Sequence, residues 1–194
     1  MNEDTTKARI LEAARQLFVE NGFSGTSMGK VAKLAIVNHS LIYHHFLNKE
    51  GLWIAVKESI VKKASGQEGV LPSLTLSFKE FLHALLTRSL EFYRKNPDIA
   101  KLILWQRIEH RQPNPIGLTK SEIAKEWLRA FDHYQSIGEM DKNHKSEFIL
   151  TMITSLSSSA ALDPNVFIET PESREAYINF CTQVLIQGLA PKPF

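Results

Sequence analysis

Apolar residues recur along this chain with the 3.6-residue period of a helix, and almost nowhere with the two-residue alternation of a strand. No Asn-Gly or Asp-Gly pair stands between two β-branched runs, so a hairpin has no evident turn to form around. Together these features restrict the fold to an all-α one of about nine helices. The first helix is predicted over about 6–21, with Ile10, Leu11, Ala14, Leu17 and Phe18 on one face. Gly22 is placed to close it, because glycine enters the left-handed conformation cheaply. Thr26 or Ser27 caps a short second helix with Val31, Ala32 and Leu34 inward, and Asn38 caps a third with Ile42 and Phe46 inward. A fourth starts near Asn48, runs to about Ala64 and carries Leu52, Val56 and Ile60 at helical spacing. Two glycines and a proline then interrupt the pattern over 65–74. Later helices are predicted at about 75–95, 98–111, 116–136, 143–162 and 172–188. Thr170-Pro171-Glu172 is a strong start for the last, with a cap, a proline at the first position and an acid in the first turn.

The composition permits a sizeable core and narrows the chemistry. Of 194 residues, 43% are hydrophobic and 23% charged, as in an ordinary globular chain of one or two domains. The net charge of +2 is unevenly spread: residues 1–63 carry +3 and the remainder −1. The basic excess lies at the end holding the two short helices, but it is too small to decide for a nucleic-acid partner by itself. A single cysteine, Cys181, excludes an intrachain disulfide and a Cys-rich zinc site, and suits a reducing compartment. The N-terminus is acidic and polar, unlike a secretory signal, and no apolar run approaches the ~18 residues of a membrane span. A cytoplasmic protein with no membrane partner is expected. No His-Glu-x-x-His, phosphate-binding glycine loop or Gly-x-Ser-x-Gly occurs, so neither an enzyme nor a cofactor is expected.

Two short helices joined by a turn of about four residues, each with a small apolar face, are what a helix-turn-helix requires. The first helix crosses the DNA backbone and the second lies in the major groove, which admits one helix. Base-reading residues must then occupy the second helix's first turn and outer face. Here those positions hold Asn38, His39, Ser40, Leu41, Tyr43 and His44. Asparagine, histidine and serine can hydrogen-bond base edges, and Leu41 could meet a thymine methyl. The three histidines do not converge as metal ligands. His39 and His44 are about 140° apart around a helix, and His44 and His45 about 100°. No cysteine or acid is placed to complete a set.

Thr26-Ser27-Met28, Val31-Ala32, Ile42-Tyr43-His44-His45-Phe46 and Lys49-Glu50-Gly51-Leu52 resemble the N-terminal signature of the tetracycline-repressor (TetR) family. Ile10-Leu11-Glu12-Ala13-Ala14, Leu17-Phe18 and Gly22-Phe23 resemble its first helix, so the likeness covers about residues 6–55 in order and spacing. The resemblance implies a three-helix DNA-binding domain over 1–48. A helical ligand-sensing and dimerisation domain follows over 49–194, with helix 49–64 connecting the two. It also implies a homodimer on a palindromic double-stranded DNA operator, usually repressing, and released by a small-molecule effector. By position, His39, Ser40 and Leu41, with Asn38 beside them, resemble base readers, and Tyr43 stands at the groove edge. Ser27, His44, His45 and Lys49 resemble phosphate contacts. Lys49 opens the fourth helix, where a cation and backbone N–H groups can share one phosphate.

Two positions depart from the family pattern. Ile36 stands in the turn where glycine is common, and a β-branched residue is costly in the left-handed conformation, so a reshaped turn or a tilted recognition helix is expected. Gly29 stands where a polar or basic residue is more usual, which removes one contact to DNA.

In the remainder, aromatic residues at helical spacing are usually core, and the resemblance implies that some line an effector cavity. Trp105, Ile108, Trp127 and Phe131 are the expected lining, with Arg111, Arg88 or Gln106 as polar anchors. Glu109 reads as solvated charge at a helix end, and Cys181 as a small buried apolar residue. Helix 143–162 carries Thr151, Ser155, Ser158, Ser159, Ala160 and Ala161, small enough for another helix to approach. Packing within the monomer is one reading; a two-fold four-helix bundle with residues 172–188 is the other. A helical enzyme on the same cavity, or a scaffold whose N-terminal motif docks a protein, are the rival function classes.

Overall fold

The computed structural model of the protein describes residues 3–64, 71–109, 122–163 and 167–191. Among them are nine helices and no strand. They are α1 (Glu3–Asn21), α2 (Met28–Ala35), α3 (His39–Phe46), α4 (Lys49–Ala64), α5 (Phe78–Lys95), α6 (Pro97–Ile108), α7 (Glu122–Ser136), α8 (Ser146–Ala161) and α9 (Pro171–Leu189). The fold class is the one the periodicity predicts.

Local chemistry sets the boundaries. Gly22 closes α1 with φ 69°, as expected. Helix α5 starts at Phe78 rather than near 75 because Ser77 and Glu80 cap one another. The Ser77 hydroxyl oxygen accepts the Glu80 N–H, and Glu80 Oε2 accepts the Ser77 N–H at 3.0 Å. Helix α8 starts at Ser146 rather than 143 because Asp141 holds the preceding residues in a turn. Its carboxylate accepts the Asn143 N–H at 2.8 Å and its carbonyl the His144 N–H at 3.3 Å. Helix α9 opens at Pro171 behind a Thr170 cap.

The chain divides into two compact units, residues 1–67 with 98–116 and residues 68–97 with 117–194. Both α4 and α6 therefore belong with the N-terminal helices. In the first unit α1 packs on α2 and α4, α2 on α3, and α3 on α4. Ile10, Ala14 and Phe18 of α1 meet a core completed by Val31, Ile42, Phe46, Leu52, Trp53 and Val56, all buried. Leu34, expected inward, is 44% exposed. The buried stripe of α2 runs through Met28, Val31, Ala32 and Ala35, which leaves position 34 on the far side. The Trp53 ring meets Phe18 edge-on at 4.8 Å and Phe23 at 5.7 Å. Thr26 is no cap: it is buried and its hydroxyl donates back to the Gly22 carbonyl at 2.8 Å, which pins the loop between α1 and α2.

In the second unit α5 packs on α8 and α9, and α7 on α8. Phe81, Leu82 and Leu85 of α5, Trp127, Phe131 and Tyr134 of α7, and Ile149 and Ile153 of α8 form its core with Ile178 and Leu185 of α9. The Tyr134 hydroxyl, buried in this core, donates to the Leu76 carbonyl at 2.9 Å, so its polar end is satisfied. No helix among the described residues is long and apolar enough to cross a membrane.

Candidate nucleic-acid interface

Ser27 opens α2, its side-chain oxygen accepting the Lys30 N–H at 3.2 Å. Ile36 ends that helix in the left-handed conformation, φ 53° and ψ 53°, with its N–H returned to the Ala32 and Lys33 carbonyls. The turn is thus not reshaped to spare a β-branched residue, as the sequence suggested. Ile36 takes the conformation glycine would take, and at 83% exposure its side chain gains little packing to offset the strain. Asn38 then caps α3, its Oδ1 accepting the Ser40 N–H at 3.2 Å. That bond uses the Asn38 side-chain carbonyl as the cap and does not engage its side-chain amide N–H groups. Helix α3 ends on Leu47, φ 61° and ψ −49°, where the Asn48 N–H meets the Phe46 carbonyl at 2.6 Å in a tight three-residue turn. Asn48 starts α4 by accepting the Gly51 N–H at 2.8 Å, and a Cβ on Gly51 would collide with the Phe46 carbonyl.

These caps hold α3 with one face in the core and the other in solvent. Ile42 and Phe46 are buried, whereas Asn38, His39, Ser40, Leu41, Tyr43 and His44 are exposed. His39 and Tyr43, one turn apart, stack edge to face at 5.1 Å. The His44 and His45 rings lie 5.4 Å apart, and His45 is half-buried. Lys49 Nζ sits 4.2 Å over the Phe23 ring, which anchors its stem beside the end of α3. Exposed Ser27 stands at the start of α2. Gly29 is exposed too and contributes no side chain.

A second set of contacts, without a signal in the periodicity, fastens α6 to α1 inside this unit. Arg15 pairs with Asp98, Trp105 Nε1 donates to the Val19 carbonyl at 3.1 Å, and Glu109 Oε1 accepts the Ser24 N–H at 3.0 Å. The three pairs ascend together in both segments, so α6 runs parallel to α1. Gly22 lies between them: a Cβ there would stand 2.6 Å from Glu109 Oε1 and 2.8 Å from the Trp105 ring. Glycine is needed at 22 for its φ and for this close approach. Glu109 is therefore no solvated end-of-helix charge. It ties down the loop that leads to α2, and its second oxygen is buried without a hydrogen-bond partner.

The expected effector lining is split between the two units. Trp105 and Ile108 belong to α6, the first engaged by Val19 and the second 57% exposed. Trp127 and Phe131 lie in the core of the second unit. Gln106 Oε1 is buried without a partner, Arg88 donates to the Leu71 carbonyl at 3.0 Å, and Arg111 lies outside the described residues.

Comparison with known proteins bears on this arrangement. Residues 10–56 match the profile of bacterial regulatory proteins of the tetR family, and residues 82–185 match a tetracyclin repressor-like C-terminal domain. The chain belongs to the TetR family. The HTH-type transcriptional regulator YhgD of Bacillus subtilis (strain 168) is 33% identical over 129 residues, 60% of this chain and 66% of YhgD. UidR of Escherichia coli (strain K12), also an HTH-type transcriptional regulator, is 45% identical over 51 residues, 26% of each chain. The match thus spans just under two thirds of YhgD and about a quarter of UidR. The crystal structure of a TetR family transcription regulator from Marinobacter aquaeolei VT8 shares the fold, with a TM-score of 0.70 at 20% identity over 97% of each chain. In TetR terms, α2 and α3 are the helix-turn-helix and α3 its recognition helix.

Proposed function

We propose that this TetR-family chain is a ligand-responsive transcriptional regulator. As a homodimer it binds a palindromic double-stranded DNA operator, represses the adjoining gene, and is released by a small molecule. The observation that carries the reading is the presentation of α3, with Ile42 and Phe46 buried and a continuous row of polar and apolar side chains exposed. His39, Ser40 and Leu41, with Asn38 and Tyr43, read base edges, while Ser27, His44, His45 and Lys49 contact phosphates. Residues 1–48, with Lys49 at the head of the connecting helix, supply the DNA-contacting side chains, and residues 49–194 sensing and dimerisation. The protein works in the cytoplasm, where its DNA partner is, and carries no catalytic activity.

The outward faces of α8 and α9 support the homodimer. Phe148 and Met152 on α8, followed by Ser155 and Ser159, form one stripe at helical spacing; Ala176, Phe180, Val184 and Gly188 form another on α9. Large apolar side chains alternating with small ones suit a self-complementary four-helix interface. Ser158 and Ala160, which the sequence left open to packing within the monomer or to the interface, are buried in their own unit. A two-fold axis there spaces the recognition helices about 34–36 Å apart, one turn of DNA. Helix α4, which connects the DNA-binding and sensing parts, is one route for the effector signal. The fastening of α6 to α1 favours α6 as well, since it starts where the chain passes from the second unit to the first. A coupling of ~1–3 kcal/mol would lower operator affinity about 5–150-fold.

Selection of genomic fragments followed by mobility shift tests the reading. A specific, salt-sensitive shift is expected, with sequence preference altered by His39→Ala and by Ser40→Ala. Unaltered preference in both variants would remove them as base readers, and no specific shift at all would defeat the regulator reading.

A further inference from the structure

An exposed aliphatic residue needs no explanation by itself, because much of any folded surface is apolar. An exposed aliphatic residue held in a costly backbone conformation does. Two such residues bracket the recognition helix. Helix α2 ends with the Val37 N–H returned to the Ala32 carbonyl at 3.1 Å and the Ile36 N–H to the Lys33 carbonyl at 3.3 Å. This is a Schellman ending, whose left-handed residue is usually glycine, and here it is Ile36 at φ 53°. Helix α3 ends on Leu47 at φ 61° and ψ −49°, the centre of a γ-turn of the rare, strained kind, closed by the Asn48 N–H on the Phe46 carbonyl. Ile36 is 83% and Leu47 81% exposed, so neither side chain recovers in packing what its backbone gives up. Glycine at either position would suit the isolated protein better. The use of the two side chains therefore lies outside the chain.

Their surroundings say what covers them. Leu47 stands between His44 and His45 on one side and Lys49 on the other, all three proposed above as phosphate contacts. Ile36 lies in the turn between α2, the helix that crosses the DNA backbone, and α3, the helix in the groove. Beside phosphates the apolar surface of DNA is the deoxyribose, whereas thymine methyls line the groove floor. On the reading of this unit as an operator binder, we infer that Ile36 and Leu47 pack against deoxyribose rings at the two ends of the recognition helix and set how it sits in the groove. A sugar contact is uncharged and common to every nucleotide. It adds affinity without adding base preference or releasing counterions.

Alanine and glycine separate the side chain from the strain. Ile36→Ala and Leu47→Ala keep a Cβ in the same conformation, whereas Ile36→Gly and Leu47→Gly relieve it. Titration of the full-length protein on its selected operator is expected to show all four binding about 5–10-fold more weakly than the wild type. Ile36→Leu and Leu47→Met keep the apolar reach and are expected to stay within about twofold. The dependence of affinity on salt and the ranking of altered operators are expected to match the wild type throughout. Urea unfolding is expected to show a higher midpoint for the glycine variants alone. Full operator affinity in both alanine variants would overturn the inference. So would a loss confined to glycine, which would trace to a loosened helix. A shallower salt dependence or a changed base preference would overturn it as well, by moving the contact to phosphates or bases. Absence of specific binding by the wild type defeats the regulator reading and this inference with it; specific binding untouched by the alanine variants defeats the inference alone.

Discussion

Ile36 and Leu47 bracket the recognition helix in conformations that glycine adopts cheaply and an L side chain does not, and both are more than 80% exposed. The left-handed conformation costs an L-residue roughly 1–2 kcal/mol, while glycine gives back about 0.5–1 kcal/mol of unfolded-chain entropy. Ile36→Gly is therefore expected to stabilise the protein by up to about 1 kcal/mol in urea unfolding, and a loss would show that the isoleucine packs usefully. Gly22→Ala is the opposite case. It meets both the φ penalty and the Trp105 ring, so a loss above ~2 kcal/mol is expected. Lys57 contributes through pH. Burial pulls its ammonium down from the ordinary 10.5 to about 7. The unfolded chain then holds a proton that the folded chain gives up across that interval. Stability is expected to rise from pH ~7 toward ~10.5, with the burial penalty full below it. Lys57→Met should raise the denaturation midpoint at pH 6 and flatten the rise, as melts at pH 6, 7.5 and 9 would reveal. At this scale the sequence spoke where residue type and position conflict, as at Gly22 and Ile36. It was silent at Leu47, because nothing about a leucine announces a positive φ.

Helix by helix, existence was easier to read than extent or partner. The starts of α5 and α8 moved by three residues because a serine–glutamate box and an aspartate turn compete for the first backbone groups. The partner of α6 lay further from view: Trp105 carries the apolar pattern of a pocket residue, and its indole N–H finds the carbonyl of Val19, 86 residues earlier. Such pairings are chosen in three dimensions and leave no period in the chain. Glu109→Ala is expected to release the Ser24 N–H, costing about 1–2 kcal/mol and speeding amide exchange over residues 22–27. Unchanged exchange there, read by mass spectrometry, would mean that the carboxylate does not hold the loop.

For the molecule as a whole, the all-α class was legible because every long segment repeats one period, and the candidate DNA face because it occupies one short, motif-bearing stretch. The division of the later aromatics was not, since Trp105 and Trp127 share a pattern but belong to different units. Assembly offers the prediction at this scale. Phe180→Glu, on the exposed stripe of α9, is expected to shift the protein from dimer to monomer in sedimentation and to weaken operator binding at least tenfold. A dimer of undiminished strength would place the interface elsewhere.

The pairing of α6 with α1 also bears on how such a regulator can be recombined. The unit that holds the recognition helix is not one continuous stretch: residues 98–116 return to it after the chain has visited the other unit. A hybrid spliced once, after α4, would set a foreign helix against the bare Cα of Gly22, the Val19 carbonyl and the Ser24 amide. Swapping sensors between relatives therefore calls for two cuts, with 98–109 travelling alongside the reader rather than with the sensor it follows in sequence.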